Sequence, residues 1–135
     1  NGAVGLLPHV NGAALSLERV AGWALAPLAW LMGIPWREAL TAGSLLGIKT
    51  VLNEFISYLE LAKVPPEALS DRSRLITIYG LCGFANFSSI GIQVSGIGAM
   101  APERKKDLSD LALRALVGAT LASCMTGSVV GLVAG

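Results

Sequence analysis

A polar pair, Asn53-Glu54, stands between the apolar runs Ala39–Ile48 and Phe55–Leu59, where a lipid bilayer would least accommodate it. An ionised carboxylate at the middle of a bilayer costs about 2.5–3.5 kcal/mol on insertion scales, so such groups face a pathway, a ligand or a partner. Further along, Asn86-Phe87-Ser88-Ser89 interrupts the uncharged run Leu75–Ala101. Two interrupted hydrophobic segments are the pattern by which discontinuous membrane helices expose backbone and side chains to a solute.

Composition agrees with a membrane setting. The chain is 53% hydrophobic and 14% charged, with a mean hydropathy of +0.64, against about 25% charged residues in a soluble domain. The fold class expected is therefore an all-α membrane protein. A net charge of +1 leaves no concentrated basic face for nucleic acid. Sixteen glycines suit close helix packing in lipid. The chain opens on Asn1-Gly2, which suggests a piece of something longer, and nothing there reads as a signal peptide. Cys82 and Cys124 lie in apolar runs and read as small buried hydrophobes. His9 stands alone, no ligand-spaced cluster suggests a metal site, and no nucleophile elbow or nucleophile–base pair suggests an enzyme.

Along the chain, residues 1–15 read as a linker or the end of a preceding helix. Ser16 is a candidate N-cap with Glu18 in the following turn. Val20–Trp36 is uncharged but holds Pro27 and closes on Gly33 and Pro35. Its tryptophans, Trp23, Trp30 and Trp36, favour the water–lipid boundary. Residues 16–34 are thus expected to form an interfacial helix, a short spanning helix being the alternative. Residues 36–64 carry Lys49 and Glu54 near their middle, and their two short limbs suit a re-entrant helical hairpin. One continuous helix is the alternative there. Ser70-Asp71 marks the next start, and residues 71–101 are expected as a broken transmembrane helix, unwound near Asn86. Residues 107–134 complete the unit as a last span. Arg104, Lys105 and Lys106 place loop 102–107 in the cytoplasm and the C-terminus outside, although Lys63, Arg72 and Arg74 compete from the other side.

Glu54 offers two acceptor oxygens, the geometry that grips two adjacent hydroxyls such as the cis-diol of ribose. Asn53 can cap the second limb of the hairpin. An ion pair between Glu54 and Lys49 is the structural alternative, but five residues apart on one helix they point about 140° away from each other. Asn86 and Ser89 share a helical face and together supply donors and acceptors. Phe84 and Phe87 offer apolar walls for a flat ring, with Phe87 and Ser88 favoured for packing.

These residues also carry a family resemblance. Gly47-Ile-Lys-Thr-Val-Leu-Asn-Glu-Phe-Ile-Ser-Tyr58 and Cys82-Gly-Phe-Ala-Asn-Phe-Ser-Ser-Ile-Gly91 resemble the two signatures of the concentrative nucleoside transporters. Ala26-Pro-Leu-Ala-Trp-Leu-Met-Gly-Ile-Pro-Trp36 and Pro102-Glu-Arg-Lys-Lys106 support it, and the resemblance runs from about Leu15 onward. It implies the C-terminal portion, in the bacterial style, of a cation-coupled importer that forms homotrimers in the cell membrane, the inner membrane in a Gram-negative cell. This portion would be the second half of an inverted repeat. By the resemblance Glu54, Asn86 and Ser89 bind the ribose of a nucleoside and Phe84 lies against it; Asn53 and Lys49, beside Glu54 in the hairpin, are read as supporting residues. It further implies that the nucleobase and the coupling cation, Na+ or H+, are held by residues outside this chain, which carries no cofactor of its own. The competing hypothesis is a helix-packing or assembly module without its own ligand site.

Overall fold

Polar side chains write the starts of three helices. The computed structural model, which describes residues 17–134, has six helices: α1 (Leu17–Leu31), α2 (Trp36–Val51), α3 (Glu54–Lys63), α4 (Asp71–Leu81), α5 (Phe87–Met100) and α6 (Lys105–Val133). Single 3-10 turns at Pro66–Ala68 and Pro102–Arg104 join α3 to α4 and α5 to α6. The linker 1–15 and the candidate cap Ser16 lie outside the described residues. Asn53, Ser70 and Asn86 cap α3, α4 and α5, each side-chain oxygen accepting an amide three residues on. Such caps satisfy donors that the first turn of a helix leaves without partners.

The first turn between helices follows from one glycine. Gly33 has φ +96°, open to glycine and costly for other residues. Its amide bonds to Trp30 O and that of Ile34 to Ala29 O, the pair of bonds that closes a helix on a left-handed residue. Ile34 and Ala29 are both buried beneath this closure. The chain then reverses, and α2 packs along α1 through small residues. A Cβ at Gly43 would stand 2.7 Å from Ala26 N and Gly22 O, so the two backbones are nearly in contact.

The segment 36–64 is not one continuous helix. It breaks at Leu52-Asn53 and doubles back, so that the Ser57 hydroxyl donates to Leu45 O at 2.7 Å. At 1.5 Å per residue α2 rises about 24 Å and α3 about 15 Å, each short of a hydrocarbon core of about 30 Å. The uncharged run Leu75–Ala101 is likewise divided, between α4 and α5. Both pieces lie antiparallel to α6, α4 against its C-terminal part and α5 against its N-terminal part, as contacts from Gly131 to Ile76 and from Gly98 to Lys105 show. An unbroken helix thus backs a broken one. With its leading turn α6 forms a 32-residue segment, the one among the described residues long and apolar enough to cross a membrane. Its outer face exposes Leu113, Val117, Leu121 and Met125. An apolar face of that extent fits lipid or a further part of the protein rather than water.

Cationic side chains close two further helix ends. The Arg74 guanidinium donates to Leu61 O and Val64 O at the end of α3. Arg72 donates to Gly131 O near the end of α6 and to Gly33 O after α1. The last carbonyls of a helix lack amide partners and favour a nearby cation. The cysteines part company: Cys124 is buried, whereas Cys82 is exposed, contrary to the reading of both as buried. Cys82 is the C-cap of α4, where the helix stops and its thiol turns to donate to Tyr79 O.

Candidate functional site

The two helix breaks face each other, and Glu54 and Asn86 meet there. Glu54 is the first residue of α3, after the Asn53 cap, whose Oδ1 accepts from Ile56 N at 2.9 Å. Asn86 caps α5 and is 2% exposed. Its Nδ2 donates to Glu54 Oε2 at 3.0 Å. Its Oδ1 accepts from Ser89 N at 2.7 Å and from Ser89 Oγ at 2.9 Å. A backbone amide only donates, so the atom it meets must be the amide oxygen, and the NH2 group is left to face the carboxylate. Ser88 adds a longer bond, 3.4 Å, from its hydroxyl to Leu52 O, so both breaks are tied at the same level.

This network leaves defined capacity unused. Among the described residues the Glu54 carboxylate accepts one hydrogen bond, on Oε2, and Oε1 stays open. One proton of the Asn86 amide group is committed to Glu54, which leaves a second for another acceptor. Ser89 gives its hydroxyl proton to Asn86 and so presents lone pairs. Side by side stand an anionic acceptor, an amide donor and a hydroxyl acceptor. That set is complementary to vicinal hydroxyls, each of which both donates and accepts.

The other sequence-derived residues fall around this trio. Phe84 is 74% exposed and lines, with Asn86, Ser89 and Gln93, a groove of about 200 Å³ between α5 and α6. Glu54 does not line that groove; it reaches Asn86 from the hairpin side. Phe87 is half exposed on the first turn of α5. Lys49 makes no ion pair with Glu54. It is 1% exposed, and its Nζ donates to Gly80 O at 3.1 Å, in the last turn of α4. Two polar residues of the first signature had drawn no role from spacing. Ser57 joins the hairpin limbs, and the Tyr58 hydroxyl donates to Ile78 O at 2.8 Å. Both partners are distant in sequence, so no local pattern marks them.

Residues 1–131 match the family model described as Na+ dependent nucleoside transporter C-terminus. The chain belongs to that family. Among similar curated proteins, the putative nucleoside permease NupX of Escherichia coli (strain K12) is 44% identical over 122 residues, 89% of this chain and 29% of the relative. Nucleoside permease NupC of Helicobacter pylori is 41% identical over 125 residues, 90% of this chain and 30% of that protein. The sodium/nucleoside cotransporter 1 of Mus musculus is 39% identical over 132 residues, 87% and 20% of the two chains. Among solved structures, CNTnw in an inward-facing substrate-bound state superposes with a TM-score of 0.82 at 46% identity, over 90% of this chain and 31% of that one. The fold is therefore that of the helical nucleoside transporters, and the family is one of membrane transporters rather than enzymes. The chain spans less than a third of the length of these relatives.

Proposed function

We propose that this chain is the C-terminal part of a cation-coupled nucleoside importer and supplies the ribose-binding half of its substrate site. The observation that carries the reading is the 3.0 Å contact between Glu54 and Asn86, each at the start of a helix that resumes after a break. In this reading the diol hydroxyls donate to Glu54 and accept from the Asn86 amide, and Ser89 accepts from a further sugar hydroxyl. Phe84, exposed beside Asn86, lies against the flat part of the nucleoside. The nucleobase and the driving cation, Na+ or H+, are held by the remainder of the transporter, and the whole assembles as a homotrimer in the cell membrane. The names of the relatives, permeases and sodium/nucleoside cotransporters, support this assignment.

The same reading orders the helices in the bilayer as one half of an inverted repeat. α1 lies at the interface, α2 and α3 form a re-entrant hairpin, α4 and α5 form a broken crossing, and α6 is the last span. Neither hairpin limb is long enough to cross alone, which supports re-entry. Loop 102–107 is cytoplasmic and the C-terminus outside. Arg72 and Arg74, which compete for the opposite orientation, are engaged by helix-end carbonyls.

The test uses the full-length protein. A charge-assisted hydrogen bond contributes about 1.5–3 kcal/mol, so Glu54→Gln lowers uridine uptake about ten- to a hundredfold. Uptake of 2′,3′-dideoxyuridine, which has no diol, falls far less. Equal losses for the two solutes refute the diol role. The Glu54–Asn86 bond also joins α3 to α5, which favours the assembly reading as the second hypothesis. That reading requires Glu54→Gln to reduce trimer yield as much as uptake.

A further inference from the structure

We infer that Lys49 and Tyr58 are positioning residues that hold the end of α4 from the two limbs of the hairpin and so set where Asn86 meets Glu54. This rests on the ribose reading above. Lys49, in the last turn of α2, reaches Gly80 O at 3.1 Å, and Tyr58, in the second turn of α3, reaches Ile78 O at 2.8 Å. The two carbonyls belong to the final stretch of α4, where a helix runs out of its own amide donors. Gly80 and Lys49 are both buried, so water is not at hand to replace the ammonium. A cation there is also favoured by the negative end of the helix.

The placement of these grips is what ties them to the site. Glu54 lies between them in sequence, five residues after Lys49 and four before Tyr58. The hairpin therefore presents its carboxylate from a tip whose two roots are fastened to the same partner. On the other side, Asn86 follows α4 through the four-residue link 82–85, whose Cys82 and Phe84 are exposed while Ala85 is 3% exposed and Gly83 lies against Ser123 of α6. Gly83 and Ala85 hold the inner side of this short link, so a shift of α4 is passed on to Asn86. The Ser57 hydroxyl, bonded to Leu45 O at 2.7 Å, keeps the limbs from separating. A slide of the hairpin along α4 strains both carbonyl grips together with the Glu54–Asn86 contact.

The experiment is a double-mutant cycle in the full-length transporter, read as uridine KM and maximal rate. Tyr58→Phe keeps the ring and removes one hydroxyl. It raises the uridine KM about three- to tenfold, with the maximal rate retained. The KM for 2′,3′-dideoxyuridine stays within about twofold, since the diol contact is what the grip positions. In the Glu54→Gln background the Tyr58→Phe effect disappears, because coupled residues are not additive. Lys49→Met follows the same pattern with a larger loss. Should that variant fail to accumulate, Tyr58→Phe decides alone. An unchanged uridine KM, a rise of the same size for both solutes, or a rise that persists in the Glu54→Gln background overturns the positioning role. If Glu54→Gln alone treats the two solutes alike, the ribose reading has failed and this inference falls with it.

Discussion

The contact between α1 and α2 and the junction between the hairpin and α4 are both buried, yet they are held by different means. At the first, the backbone of Gly43 lies against those of Gly22 and Ala26 with no side chain between them. Dispersion at close range does the holding, and it tolerates no added volume. At the second, Lys49, Tyr58 and Arg74 bridge wider gaps and end on backbone carbonyls of α4 and α3. The neutral tyrosine bond contributes about 1 kcal/mol net and the cationic ones about 1.5–3 kcal/mol, and all of them are directional. The first contact fixes two helices as one body. The second fixes a register, and it is this second kind of contact that surrounds the candidate site.

The contrast can be broken where volume matters most. Gly43→Val places a branched Cβ against Ala26 N and Gly22 O, backbone atoms that cannot rotate away. A loss of about 3 kcal/mol is expected, seen as a lower unfolding midpoint of the full-length protein in detergent. A midpoint that stays put would mean that α1 and α2 are free to separate. A smaller effect belongs to the junction: Asn53→Ala removes the cap on α3 and costs about 1 kcal/mol by the same measurement, with Asn53→Asp close to the parent. If Asn53→Ala costs as much as Gly43→Val, the two regions are not held by different means after all. The smallest effect is at Gly96, inside the C-terminal half of α5, where an added Cβ meets nothing within 4 Å. Gly96→Ala is expected to raise the midpoint by the equivalent of up to about 1 kcal/mol through helix propensity. A drop would show that another part of the transporter packs against that face of α5.

Much of the helix order can be read from the sequence because its signals are local. Asn53 and Ser70 read as caps, and they cap, since a cap needs only a side-chain oxygen and an amide three residues away. Asn86 obeys the same rule with Ser89, although its sequence context points first to unwinding. The all-helical fold follows from composition and from runs of uncharged residues divided by these polar positions. Of the site, the residue types are legible and their pairing is not. Glu54 and Asn86 are 32 residues apart, Lys49 and Gly80 are 31 apart, and nothing in a linear pattern links a buried amine to a distant carbonyl. Local spacing therefore offers Lys49 only Glu54, its nearest carboxylate in the hairpin, as an ion-pair alternative, whereas the structure gives it a helix end. Arg72 and Arg74 read as topology charges for the same reason, because only the fold supplies the carbonyls they hold.

The guanidinium of Arg72 carries a consequence for how the chain comes together. Its partners, Gly33 O and Gly131 O, lie 39 residues before it and 59 after it. Contacts so far apart close late, because the intervening chain must be ordered before the bond repays that ordering. Gly131 is also among the last of these residues to be synthesised. Until it arrives one arm of the fork has no acceptor, so full engagement of Arg72 reports that the final helix has been seated.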